Sequence, residues 1–216
     1  MREAEGRYAM RPIDIRNYKI ELRKLIKQER RELDPTVKAE MDEKIADNVR
    51  RLRQYKKCTT LLTYVATPIE VETRGIIKNA IADGKRVAVP RCLPETRGLS
   101  FHYINGTDEL SPGTFGVLEP DENSKSVTDF TGCLMIVPAL MFDIRGYRLG
   151  YGMGYYDRCM SHFEGPSAGI CYSQNVRYHM PNGRFDRPVD ILVTEKWIRS
   201  KKEQKKKVFW GDNRNT

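Results

Sequence analysis

Residues 137–158 read Val137-Pro138-Ala139-Leu140-Met141-Phe142-Asp143-Ile144-Arg145-Gly146-Tyr147-Arg148-Leu149-Gly150-Tyr151-Gly152-Met153-Gly154-Tyr155-Tyr156-Asp157-Arg158. An apolar run from Leu134 to Val137 leads in and stops at Pro138, as a buried strand does on meeting a residue without a backbone N–H. Gly150, Gly152 and Gly154 then alternate, with Arg148 ahead of them and Asp157 behind. Such glycines let the chain enter positive φ and aim several N–H groups at one point. Residues 155–163 read as a short helix, whose amino end adds partial positive charge there. Together these features describe a cradle for an oxyanion or phosphate, although the glycines alone would equally suit a tight turn. The spacing matches neither the dinucleotide fingerprint nor the Walker A loop.

Outward from this centre, strands and helices alternate. On the amino-terminal side, residues 59–65 predict a strand, 73–82 a helix ended by Asp83-Gly84, and 86–89 a second strand closed by Pro90-Arg91. Residues 99–104 predict a third strand, and 121–132 a polar, mobile loop. Further upstream, Ile15, Tyr18, Leu22, Leu25, Ile26 and Leu33 form one helical stripe, and Val37, Met41, Ile45, Val49 and Leu52 another. Asp34-Pro35 stops the first helix and starts the second. On the carboxyl-terminal side, residues 167–172 predict a strand, 178–187 an exposed loop and 188–195 the last strand. The fold class is therefore α/β. One domain is expected over residues 13–198, between tails at 1–12 and 199–216.

Composition excludes several classes. The 216 residues carry a net charge of +9, but residues 1–34 hold +3 of it and 196–216 hold +6, leaving 35–195 neutral. No basic face across the fold is required, so no specific nucleic-acid partner is expected, and the Lys201–Lys207 run reads as a solvated tail. There is no apolar run of membrane-spanning length and no secretory h-region. Cys58, Cys92, Cys133, Cys159 and Cys171 are odd in number and scattered, which suits free thiols in the cytoplasm.

Taken whole, residues 137–158 closely resemble the signature of the 5-formyltetrahydrofolate cyclo-ligase (methenyltetrahydrofolate synthetase) family. Ala139 stands where that family usually has glycine, and Met153 where glycine or lysine is common. Further matches are Lys19-x-x-x-Arg23, Glu70-x-Glu72-Thr73, Gly116-x-x-Glu119-Pro120 and Val189-Asp190 ahead of Thr194-Glu195. Without the family, Lys19 and Arg23 would read as a solvated basic face, Glu70 as a helix-start acid, Phe115 as a loop aromatic and Asp190 as a strand start.

With it, the resemblance implies a mainly parallel sheet flanked by helices, like the ribose-phosphate isomerase and CoA transferase folds. It implies ATP-dependent, magnesium-dependent closure of 5-formyltetrahydrofolate to 5,10-methenyltetrahydrofolate, with ADP and phosphate released; a monomer is expected, although the sequence does not reveal the oligomeric state. Lys19, Arg23, Arg148 and residues 149–156 (Leu149, Gly150, Tyr151, Gly152, Met153, Gly154, Tyr155, Tyr156) would bind ATP. Arg148 and Asp157 would be catalytic. Val65, Glu70, Phe115, Tyr155 and Tyr156 would bind folate, and Asp157 with Asp190 would hold Mg2+. A binding relative without activity and a nucleic-acid-binding protein are the rival readings. Intact Lys19, Glu70, Arg148 and Asp157 weigh against the first, and the charge distribution against the second.

Overall fold

The computed structural model describes residues 14–201, apart from the side chain of Phe115. Two helices open it, α1 (Ile15–Arg31) and α2 (Pro35–Arg51). Each is capped by an aspartate: Asp14 accepts from the N–H groups of Arg16 and Asn17, and Asp34 from those of Thr36 and Val37. Pro35 occupies the first turn of α2, where a missing N–H costs nothing. A short helix, α3 (Arg53–Lys57), leads into the sheet.

The strands are β1 (Thr60–Leu62), β2 (Arg86–Leu93), β3 (Gly98–Ile104), β4 (Ser111–Pro112), β5 (Leu118–Glu119), β6 (Cys133–Val137), β7 (Met141–Asp143), β8 (Arg148–Leu149), β9 (Ser167–Ile170), β10 (Val176–Arg177), β11 (Ile191–Val193) and β12 (Ile198–Ser200). Helix α4 (Arg74–Ala82) joins β1 to β2, and α5 (Tyr155–His162) precedes β9. Seven strands form one sheet in the order β12-β11-β9-β6-β1-β2-β3. Neighbours from β11 to β2 run parallel, and β12 and β3 are antiparallel edges.

Alternation along the buried strands divides the core in two. Leu134 and Ile136 of β6 face Ile45 and Val49 of α2 and Ile76, Ile77 and Ala80 of α4. Cys133, Met135 and Val137 face the other way, toward Phe142 and the half-buried Tyr156, Cys159 and Met160 of α5. Each Leu, Ile or Met so buried contributes about 1.5–3 kcal/mol. On the second face β7 and β8 fold back across the sheet. A Cβ on Gly169 would come within 2.4 Å of the Phe142 ring, so β9 needs a glycine where the hairpin crosses it.

Four expectations change. Strand β2 does not close at Pro90 but runs on to Leu93. Pro90 pairs with Phe101, whose carbonyl turns outward to the Val127 N–H, so the missing donor falls at a non-hydrogen-bonded pair. Residues 121–132 are anchored: Tyr103 donates to the Lys125 carbonyl, and Val127 is buried. The final predicted strand is short, and a further one, β12, carries the fold into the expected tail. Lys201 closes it by donating its N–H to the Asp190 carbonyl at 3.0 Å. The amino-terminal tail and residues 202–216 lie outside the described residues.

Candidate active site

Ligands of open α/β sheets sit beyond the carboxyl ends of the strands, and the loops after β1, β6 and β9 meet there. Gly152 (φ +103°) and Gly154 (φ +75°) take the left-handed conformations that their spacing suggests; Gly150 does not. Gly154 caps α5, directing the helix amino end at the loop. Among the described residues, no N–H from residue 150 to 154 donates to a backbone carbonyl. Such amides, grouped at a helix start, are a ready anion cradle.

Helix α1 brings its basic pair to this loop. Arg23 Nε donates to the Gly150 carbonyl at 2.8 Å, and its guanidinium lies 3.4 Å from where a Gly152 Cβ would be. Glycine at 152 thus answers both a backbone angle and a close approach. One turn earlier, Lys19 Nζ contacts Asp186 Oδ2 at 2.8 Å. Burial lowers the pKa of Arg23, opposed by the nearby Asp186 charge. Burial alone would raise the Asp186 carboxyl, but Lys19, the Gly183 N–H and the Arg148 charge outweigh it and hold the group below its ordinary value.

Arg148 faces inward. Its Nη1 donates to the Arg187 carbonyl (2.8 Å) and also meets Met160 Sδ (3.2 Å). Its Nη2 lies 2.7 Å from Asp157 Oδ1 but off the donor direction, an ion pair without an aligned hydrogen bond. Burial lowers the arginine pKa, and Asp157 counters it. Asp157 Oδ1 accepts the Arg187 N–H at 3.0 Å, so this ion pair grips both polar groups of residue 187 and fixes Asp186 beside it. Arg148 is thus buried against Asp157 and the residue 187 backbone.

Asp190 is not brought to Asp157. It lies at the amino end of β11, where its Oδ2 accepts from the N–H (2.9 Å) and Oγ (2.7 Å) of Ser167 at the start of β9. The acid that the structure sets near Asp157 is Asp186, four residues earlier. Among the described residues no group of three or more His, Cys, Asp or Glu side chains forms a metal cage.

Across the crevice, Glu70 is buried, its Oε2 accepting from the N–H and Oγ1 of Thr67, both at 2.8 Å. Tyr151 of the glycine loop is 42% exposed and carries Lys27 Nζ 5.0 Å from its ring centroid. Burial, reinforced by the Glu70 charge, raises that phenol's pKa. The Tyr156 hydroxyl is buried without a hydrogen-bond partner, and its pKa is raised by burial and by Cys159, Glu70 and Cys92. A buried hydroxyl without a partner suits a polar ligand. Tyr155 sits at the first position of α5, half-buried; Met153 is exposed. Leu149 packs inside with Ile26 and Met180, and Val65 is 3% exposed in the main core, so both support the site from below. The Phe115 side chain lies outside the described residues.

Sequence reasoning missed Asp186, hidden in a loop taken as merely exposed, and Arg30. Arg30 is four residues after Ile26, in phase with the apolar stripe of α1, and that phase was the available signal.

Comparison with known proteins identifies the family. Residues 15–195 match the 5-formyltetrahydrofolate cyclo-ligase family. A probable 5-formyltetrahydrofolate cyclo-ligase of Schizosaccharomyces pombe is 32% identical over 72% of this chain and 85% of its own length. The Escherichia coli 5-formyltetrahydrofolate cyclo-ligase is 27% identical over 79% of this chain and 96% of its own. The solved structure of Aquifex aeolicus 5,10-methenyltetrahydrofolate synthetase superposes with a TM-score of 0.75 at 32% identity, covering 84% of this chain and 92% of that one. The chain, with its glycine loop and Glu70 crevice on a mainly parallel sheet, belongs to the 5-formyltetrahydrofolate cyclo-ligase family.

Proposed function

We propose that the protein uses ATP to close 5-formyltetrahydrofolate to 5,10-methenyltetrahydrofolate. The observation that carries this is the convergence on α1: Arg23 donates to the carbonyl of Gly150 in the glycine loop and Arg30 to the carbonyl of Ile69 beside the buried Glu70, so a phosphate cradle and a buried carboxylate share one crevice.

The N5-formyl group is an amide, so its carbon is a weak electrophile and its oxygen a poor leaving group. Transfer of the γ-phosphoryl group to that oxygen gives a phosphorylated iminium-type carbon. N10 attacks it, phosphate departs, and the ring closes. No side-chain nucleophile is required; positioning and charge neutralisation suffice. The 150–154 amides, Lys19 and Arg23 receive the phosphates. Glu70 accepts hydrogen bonds from the pterin edge, and the Tyr156 hydroxyl faces the same ligand. Arg148 holds Asp157 and residue 187.

The donor set fits magnesium: Asp157 and Asp186, joined through residue 187, are the one or two carboxylates such an ion takes beside phosphate oxygens, and it would neutralise phosphate charge there. Asp186 replaces Asp190 in this assignment. The parallel β11-β9-β6-β1-β2 order supports kinship with the ribose-phosphate isomerase and CoA transferase folds. Five free thiols support a reducing cytoplasm, where the protein is proposed to act as a monomer on small molecules rather than nucleic acid. Among the described residues no helix is long and apolar enough to cross a membrane.

Incubation with 5-formyltetrahydrofolate, ATP and magnesium should generate the methenyl chromophore, and omission of nucleotide or metal should abolish it. Binding of both ligands without product would make the protein an inactive relative; product without nucleotide would contradict the mechanism.

A further inference from the structure

Beneath the Glu70 loop lies a guanidinium that neither the phosphate nor the folate contacts use. Arg30 of α1 is 3% exposed. Its Nε donates to Asn175 Oδ1 (3.3 Å), Nη1 to the Ile69 carbonyl (3.0 Å), and Nη2 to the carbonyls of Ala139 (3.1 Å) and Leu140 (2.7 Å). The guanidinium lies over the Tyr172 ring, 5.2 Å from its centroid. These acceptors follow β1, β6 and β9, three adjacent strands. Among the described residues no carboxylate ion-pairs with Arg30. A buried cation satisfied by carbonyls is an expensive way to fill a helix position that Leu22 and Ile26 fill with hydrocarbon.

What the donors hold explains the choice. Ile69, whose carbonyl takes Nη1, precedes Glu70. Leu140, whose carbonyl takes Nη2, donates its own N–H to the Leu149 carbonyl at 2.9 Å, immediately before Gly150. Other buried groups steady the same Glu70 loop: the Tyr64 hydroxyl donates to the Val71 carbonyl (2.9 Å), and Asp42 accepts from the Glu72 N–H (3.1 Å) and the Tyr172 hydroxyl (2.8 Å). Among the described residues, Arg30 donates hydrogen bonds both to the loop of Glu70 and to the approach to the glycine loop.

We infer that Arg30 is a positioning residue for the cyclo-ligase reaction, fixing the separation between the folate side and the phosphate side of the crevice. The inference rests on the proposed function. In-line phosphoryl transfer to a bound formyl oxygen is sensitive to that separation, since a misplacement of about 1 Å costs on the order of 100-fold in rate. Each half-site keeps its own contacts when the link is loosened, so binding of either ligand alone should change far less than turnover.

Arg30→Lys keeps the charge but cannot reach four acceptors. Its kcat should fall by roughly 30-fold or more, while dissociation constants for ATP alone and for 5-formyltetrahydrofolate alone move by less than about threefold. Ile26→Val, one turn earlier on the same helix, is the comparator for a purely structural loss and should leave kcat near wild type where it is folded. If Arg30→Lys does not fold, Asn175→Ala removes the longest of the four bonds and should give the same pattern at about threefold in kcat. A folded Arg30→Lys with wild-type kcat overturns the inference, as does an unfolded one paired with an unchanged Asn175→Ala. Wild-type protein that makes no product fails the functional reading instead, and that is read first.

Discussion

Two concave regions lie at opposite ends of the same parallel sheet, and they differ in the groups they gather. At the amino end, a cavity of about 590 Å³ opens among Lys57, Cys58, Phe130, Cys133, His162 and Pro166. Its thiols are satisfied locally, Cys58 Sγ by the Tyr55 carbonyl and Cys133 Sγ by the Asp129 carbonyl. Burial pushes both thiols above their ordinary pKa, away from a reactive thiolate. At the carboxyl end the crevice gathers the 150–154 amides, two left-handed glycines, a buried Glu70 and the ion-paired Arg148 and Asp157. Convergent polar groups on loops from several strands mark a site; volume alone does not.

The comparison breaks most readily at the glycine loop. Gly152→Ala would force φ +103° on a residue with a Cβ and bring that Cβ into contact with the Arg23 guanidinium, so ATP-dependent turnover should fall by about 100-fold, read as kcat/KM for ATP. Glu70→Gln keeps the shape and loses the charge. It should raise KM for 5-formyltetrahydrofolate by roughly 10- to 100-fold, corresponding to about 1.5–3 kcal/mol, with KM for ATP little altered. Equal changes in both would dissolve the division of the crevice into folate and phosphate sides.

Opposite charges were legible in the sequence; their placement was only partly so. Lys19, Arg23, the glycine loop and Glu70 could be found because each sits in a short local pattern whose geometry is set within a few residues. Both long helices were legible for the same reason, through Asp14, Asp34 and Pro35. Asp186 and Asp190 could not be told apart. They are four residues apart, and which one reaches the crevice depends on where residue 187 is gripped by Asp157 and Arg148, partners about 30 and 39 residues away. Arg30 was hidden because three of its four acceptors are backbone carbonyls, which leave no mark in a side-chain pattern, and the fourth, Asn175, is 145 residues away. Pro90 misled because a proline is harmless at a non-hydrogen-bonded pair, a register that only the fold decides.

Smaller effects sharpen the contrast. Lys57→Met, in the amino-end cavity, should leave turnover within about twofold of wild type, as exposed or half-exposed substitutions away from the site do. Truncation after Lys201 should do likewise and remove most polyanion binding, since residues 202–216 carry five positive and two negative side chains. Truncation before Ser200 should differ, lowering the melting temperature, because it cuts β12 and the Lys201 bond to Asp190.

The two aspartates give the most direct test of where the metal and the phosphates meet. Turnover is measured against magnesium concentration for wild type, Asp186→Asn and Asp190→Asn. The placement of Asp186 beside Asp157, Lys19 and Arg148 predicts a curve shifted to higher magnesium for Asp186→Asn, with part of the rate recovered at saturation. It predicts a curve superimposable on wild type for Asp190→Asn, accompanied at most by lower stability from the lost Ser167 contacts. A shifted curve for Asp190→Asn beside an unchanged one for Asp186→Asn would contradict the account.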